Sequence, residues 1–143
     1  MARPAQDNPR ADLDRIRAAG IDTVVSLLER HEAAALGLQD EALLCDRAGL
    51  RFLNHPIPDM ALPEAASFNR LVDDLAARLR AGESVAVHCR ASIGRTGMVC
   101  AGVLGRFGRG AEDAIATVSA ARGVTVPDTA EQAAFIHAMI PTT

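Results

Sequence analysis

The sequence predicts an α/β fold, a single domain with a mainly parallel central sheet flanked by helices. Three short apolar runs of strand length, at 23–28, 51–55 and 84–87, are each followed by segments with helical periodicity, and strands that alternate with helices pair in parallel. The chain is 49% hydrophobic but only 3% aromatic, so its core must be aliphatic, as in helices packed on a sheet. Its 143 residues suit one domain, expected over 1–143, with 1–9 as a loosely packed start because Pro4, Asp7, Asn8 and Pro9 crowd there.

Leu13 and Ile16 line one face of a helix from about Ala11 to Ala19, which Gly20 ends. Thr23 to Leu28 reads as a buried strand. Helices follow at 30–36 and 39–48, the second closed by Gly49, and then a strand from Arg51 to His55. Pro56, Pro58 and Pro63 exclude regular structure from the next loop. Phe68, Leu71, Val72, Leu75 and Leu79 recur at helical spacing, so 64–80 is an amphipathic helix. After a strand at 84–87, residues 95–107 are apolar on nearly every face, as in a central buried helix; 111–121 and 129–140 complete the set.

Composition removes several functions. Fifteen basic residues against eighteen acidic ones give a net charge of −3, without the basic excess of a nucleic-acid binder. All fifteen are arginine, which excludes Schiff-base lysines and the lysine-bearing phosphate loop. No apolar run reaches the ~18–20 residues of a membrane helix. Cys45, Cys89 and Cys100 form neither a disulfide framework nor a zinc pattern, and His31, His55 and His137 share no ligand spacing. The expectation is a reduced, cytoplasmic domain with no cofactor, no metal, no nucleic acid and no membrane partner.

Between Glu83 and Glu112 lie four arginines and no acidic residue. Arg106 and Arg109 read as solvated helix-end charges. Arg90 and Arg95 belong to Val87-His88-Cys89-Arg90-Ala91-Ser92-Ile93-Gly94-Arg95-Thr96-Gly97, a strand, a tight turn and a helix start. At the carboxyl end of a strand, the N–H groups of such a turn and the helix dipole converge on an anion. The same field favours a thiolate at Cys89. The planar fork of Arg95 matches two phosphate oxygens, and Thr96 is expected to hydrogen-bond the cysteine sulfur as it leaves. A cysteine by itself reads as a buried core residue, and that reading serves for Cys45 and Cys100.

Cys-x5-Arg-Thr preceded by His resembles the signature of the cysteine-based protein tyrosine phosphatases, and the Pro-Ile-Pro-Asp loop resembles small bacterial members of the dual-specificity branch. The similarity runs from about Gly20 to Met139. It implies hydrolysis of phosphomonoesters through a cysteinyl-phosphate on Cys89, without a metal, on a phosphorylated protein or a small phosphomonoester. Arg90, Ala91, Ser92, Ile93, Gly94 and Arg95 would form the phosphate loop, with Ser92 where most members have glycine.

A leaving group needs a proton. Asp59, thirty residues ahead of Cys89 in the proline loop, matches the general-acid position of the resembled family, although a turn residue beside proline is its plainer reading. Asp128, in the second Pro-Asp pair, reads as a helix N-cap. Gln132 has two readings, a capping-box partner of Thr129 or the residue that positions the hydrolytic water. His88 is expected to brace the loop by hydrogen bonding. A rhodanese-type sulfurtransferase also uses a strand–cysteine–turn, but its loop is shorter and lacks the upstream acid. A non-catalytic phosphate binder would have lost the cysteine or the arginine.

Overall fold

The computed structural model describes residues 1–141; Thr142 and Thr143, the end of the expected domain, lie outside the described residues. Among the described residues the elements follow in the order α1 (Pro9–Ala18), β1 (Thr23–Ser26), α2 (Arg30–Ala35), α3 (Glu41–Ala48), β2 (Arg51–Asn54), α4 (Ala65–Arg80), β3 (Val85–His88), α5 (Gly94–Arg106), α6 (Ala111–Arg122) and α7 (Ala130–Met139). Asn8 caps α1 by accepting from the Ala11 N–H, with Pro9 at the first helical position, so this helix begins two residues before its apolar periodicity does.

The sheet is parallel throughout, in the order β2-β1-β3. Alternation along β1 sends neighbouring side chains to opposite faces. Val24 packs with Leu13, Cys45 and Leu50 beneath α1 and α3. Val25 joins Phe68, Val72, Val87, Met98 and Val99 beneath α4 and α5. Phe68 meets Phe135 edge-on at 4.9 Å and lies so close to α5 that a Cβ on Gly102 would come within 3.0 Å of its ring. That close approach seats α5 in the core, buried almost continuously from Gly94 to Val103.

The chain leaves β1 toward β2 and later crosses to β3 on the other side, so connections diverge at the carboxyl ends of β1 and β3, where ligands bind in open sheets. Ser26 and His88 are the last register pair there, and Cys89 follows. Beyond the strands, Leu27 N–H donates to His88 O (2.9 Å) and Ile57 N–H to Leu27 O (3.1 Å), which draws the proline loop toward the same end.

The start of the chain departs from its expected looseness. Met1 N donates to Val87 O (2.7 Å), Arg3 donates to Arg90 O (2.7 Å), and Pro4 is buried. The carbonyls beside β3 attract these donors, and a count of turn-forming residues does not register them.

Candidate active site

Residues 89–94 form a tight loop between β3 and α5, and its peptide groups are sorted by direction. The carbonyls are tied outward: Arg3 donates to Arg90 O, and Arg122, at the end of α6, donates through Nη2 to Ala91 O (3.3 Å) and through Nε to Ser92 O (3.0 Å). Among the described residues, none of the backbone N–H groups from Arg90 to Arg95 has a protein acceptor. Three of them belong to the chain entering α5 and carry the positive end of its dipole. The result is a concave array of donors beside Cys89, suited to a tetrahedral oxyanion.

Ser92 stands in the left-handed region at φ 59°, the conformation for which glycine is the unstrained residue. Its buried hydroxyl donates to Met1 O, a local anchor that glycine would lack. Ile93 ends the loop, its carbonyl accepting from Gly97 N–H (2.9 Å). Gly94 begins α5 in a space where a Cβ would lie 2.6 Å from Asp128 Oδ2 and 2.9 Å from Gln132 Nε2.

Arg95 is 1% exposed, a buried charge that needs partners. Its Nη1 and Nη2 donate to the two oxygens of Glu32, at 2.7 and 2.9 Å, in a bidentate fork from α2. Nη1 also donates to Ile57 O (2.9 Å), and Nη2 lies 3.1 Å from Asp59 Oδ1. One guanidinium thus joins α2, the proline loop and the phosphate-facing loop. Burial works against the charge on both members of the pair. The hydrogen bonds outweigh it, holding the Glu32 carboxyl below the ordinary glutamate range and Arg95 above the ordinary arginine value. Arg90 is half exposed, with Nε 3.9 Å from Glu32.

His88 is fully buried, with Nε2 2.6 Å from Glu41 Oε2 on α3 and Nδ1 3.3 Å from the carbonyl of Cys89. These contacts tie the residue that precedes the loop to α3. Thr96 is buried, and among the described residues its hydroxyl has no hydrogen-bond partner, Cys89 Sγ included. It lines an apolar cavity of about 370 Å³ behind β3, together with Leu75, Val87, Cys100 and Val103. The three cysteines are free thiols; burial, followed by the Glu41 charge, pushes Cys45 up to about 12. Arg106 and Arg109 pair with Asp73 and Asp113 on the surface, as their helix-end positions imply.

The N-cap reading of Asp128 is corrected. Thr129 caps α7, accepting from Gln132 N–H (3.1 Å), while Gln132 Oε1 accepts from the N–H groups of both Asp128 and Thr129. The threonine hydroxyl is one residue nearer the helix and reaches its third N–H. Gln132 therefore satisfies its capping-box reading, and its Nε2, fully buried, has no partner among the described residues.

Sequence reasoning missed Glu32, Glu41 and Arg122. The first two are carboxylates on short helices with no resolvable apolar face, and the third is an ordinary helix-end arginine. Burial distinguishes the two carboxylates, and the two loop carbonyls it meets distinguish Arg122. Among the described residues, no group of three or more His, Cys, Asp or Glu side chains is placed to hold a metal, and no helix is long and apolar enough to cross a membrane.

A parallel sheet whose last strand delivers a cysteine into an amide-lined loop, closed by a buried arginine at the head of a helix, defines the class: the cysteine-based tyrosine and dual-specificity phosphatases. Within that superfamily, the chain belongs to the family described as Tc-R-P, "Polymorphic toxin system, DSP-PTPase phosphatase", whose model matches residues 1–109. Among curated proteins it is similar to cyclin-dependent kinase inhibitor 3. The human protein is 24% identical over 132 residues, 91% of this chain and 62% of that one; the rat protein is 27% identical over 97 residues, 68% and 46%. The chain spans about half the length of these relatives. Kinase associated phosphatase, solved with its catalytic-site cysteine replaced by serine, superposes with a TM-score of 0.83 at 23% identity, covering 90% of this chain and 73% of that one. Tk-PTP in its active form gives 0.79 at 27% identity, covering 91% and 84%.

Proposed function

We propose that the protein hydrolyses phosphomonoesters in phosphorylated proteins, phosphotyrosine above all with phosphoserine and phosphothreonine as further substrates, through a cysteinyl-phosphate on Cys89 and without a metal. The observation that carries this reading is the sorting of the loop: carbonyls tied outward by Arg3 and Arg122, and the N–H groups from Arg90 to Arg95 left without protein acceptors. That arrangement receives the phosphoryl oxygens beside the sulfur. Met60 and Leu62, exposed on the loop that carries Asp59, offer apolar contact for an aryl leaving group.

In the first step, Cys89 Sγ attacks phosphorus as a thiolate, the P–O bond to the leaving group breaks, and Asp59 supplies that oxygen with its proton. Arg95 follows the charge on the phosphoryl oxygens, and Asp59, already drawn to Arg95, is positioned by the same side chain. In the second step water displaces the sulfur, with Gln132 Nε2 as a donor to that water. His88 braces the loop, and the Thr96 hydroxyl, without a partner among the described residues, is available to stabilise the departing thiolate. The free thiols fit a reducing, cytoplasmic setting.

The test is hydrolysis of phosphotyrosyl peptide and an aryl phosphate in EDTA, with the expected outcome of full activity, inhibition by vanadate and none in Cys89→Ser. Asp59→Asn is expected to lower kcat by roughly 10²–10⁴-fold, to remove the alkaline limb of the rate profile, and to matter least for a good leaving group. Activity in Cys89→Ser, or a faster transfer of sulfur from thiosulfate to cyanide, overturns the proposal.

A further inference from the structure

We infer that Asp128 is a second carboxylate of the active site, which accepts the proton of the water that hydrolyses the cysteinyl-phosphate. The inference rests on the cysteinyl-phosphate reading and assigns a residue to its second step. Asp128 is not occupied by the helix that follows it, because Thr129 is the cap. Among the described residues, its carboxylate makes no hydrogen bond or ion pair; only its backbone N–H is engaged, by Gln132 Oε1 (3.1 Å).

Its position is set against the loop. Gly94 is the residue where the loop becomes α5, and the space a Cβ would fill there lies 2.6 Å from Asp128 Oδ2 and 2.9 Å from both Nε2 and Oε1 of Gln132. The carboxylate and the glutamine amide therefore both pack against this glycine, at the edge of the unpartnered amides. The orientation of the glutamine is fixed, since its Oε1 accepts from two backbone N–H groups, so the buried unpartnered atom is the amide nitrogen. A water that donates to the exposed Asp128 carboxylate sits at the rim of the loop beside Gly94, with a lone pair free for attack. Asp59 is differently engaged, on another loop and against Arg95.

The step balances with these groups alone. The water oxygen forms a bond to phosphorus, the P–S bond breaks, and its electron pair returns to Cys89 Sγ as thiolate. The proton passes to the Asp128 carboxylate, which is exposed and releases it to solvent.

Rapid-mixing kinetics with p-nitrophenyl phosphate, whose leaving group needs little protonation, separates the two steps. Asp128→Asn is expected to release one equivalent of nitrophenolate per Cys89 at the rate of the unaltered chain, and then to turn over about 10²-fold more slowly. Acid quenching should recover phosphorus bound to that variant, and Asp128→Glu should restore part of the turnover. Unchanged turnover in Asp128→Asn overturns the inference. So does a first phase slowed as much as the second, which marks a disturbed loop. If the unaltered chain releases no nitrophenolate, or Cys89→Ser also releases it, the cysteinyl-phosphate reading itself has failed and takes this assignment with it.

Discussion

Arg95 carries the most structural consequence of any single side chain here. Its fork meets Glu32 inside the protein, and the same guanidinium reaches Ile57 O and Asp59. Lysine keeps the charge but offers one point of attachment on a flexible stem, so it cannot hold a carboxylate and a phosphoryl group in fixed planes. Arg95→Lys is expected to lose about 10²–10³-fold in kcat, the scale of one lost transition-state donor. It should also be less stable, by less than the about 3–5 kcal/mol that follows from removing a buried ionic partner outright. Turnover paired with chemical denaturation checks both halves, and wild-type values in either would place the arginine outside that role. Asp59 is simpler: it stands on an exposed turn, and its loss should be felt in chemistry and not in folding.

At the scale of elements, the loop and the start of α7 meet across Gly94. Its φ lies outside the left-handed region, so alanine is conformationally acceptable and a better helix former. The atoms an added methyl would strike are the far end of Asp128, which is exposed and can swing aside, and the amide of Gln132, whose two capping bonds would have to give. Gly94→Ala is therefore expected to retain the melting temperature to within a few degrees and to lose about 10–10²-fold in turnover, since displaced positioning groups cost rate more than stability. A large fall in melting temperature with unchanged turnover would contradict this. The contact also explains a difference between sequence and structure. Thr129-x-x-Gln132 announces a helix start correctly, but the same pattern conceals that the capping glutamine presents its other end to the loop.

For the whole molecule, the ion pair between α2 and α5 ties the fold to pH. Glu32 is buried, yet its hydrogen bonds with Arg95 hold its carboxyl below the ordinary range. A carboxyl that titrates lower when folded than when unfolded contributes stability that is fully present above its unfolded value. That contribution is lost as pH falls through its folded value. Stability should accordingly decline on acidification below the ordinary glutamate range. Glu32→Gln, which keeps the shape without the charge, should be less stable at neutral pH and decline less steeply in acid. Urea midpoints between neutral pH and pH ~3 test this, and parallel slopes for the two proteins would rule out the linkage.

Much of the architecture was legible in the linear chain. The helix at 64–80 shows itself because one face repeats at 3.6 residues, and the buried helix after Arg95 because it is apolar all round. The strand at 23–28 was read two residues long: Leu27 and Leu28 are as buried as the strand, but the ladder with β2 and β3 ends at Ser26. The Cys89–Arg95 spacing is legible because it spans one short turn, and local spacing survives in sequence. What stood beside them was not. Glu32, Glu41 and Arg122 lie 63 and 47 residues from their partners, and 30 for the arginine, so no local pattern connects them. Asp128 looked like a cap because a cap needs only local geometry; its place above Gly94 follows from how α7 packs on α5. The chain alone thus determined the cysteine–arginine spacing, the tight loop that carries it and the order of elements, all set by periodicity and by contacts near in sequence. Tertiary packing decided which distant carboxylates and carbonyl clamps surround them, because a buried charge is partnered by whatever the fold brings within reach, at any separation along the chain.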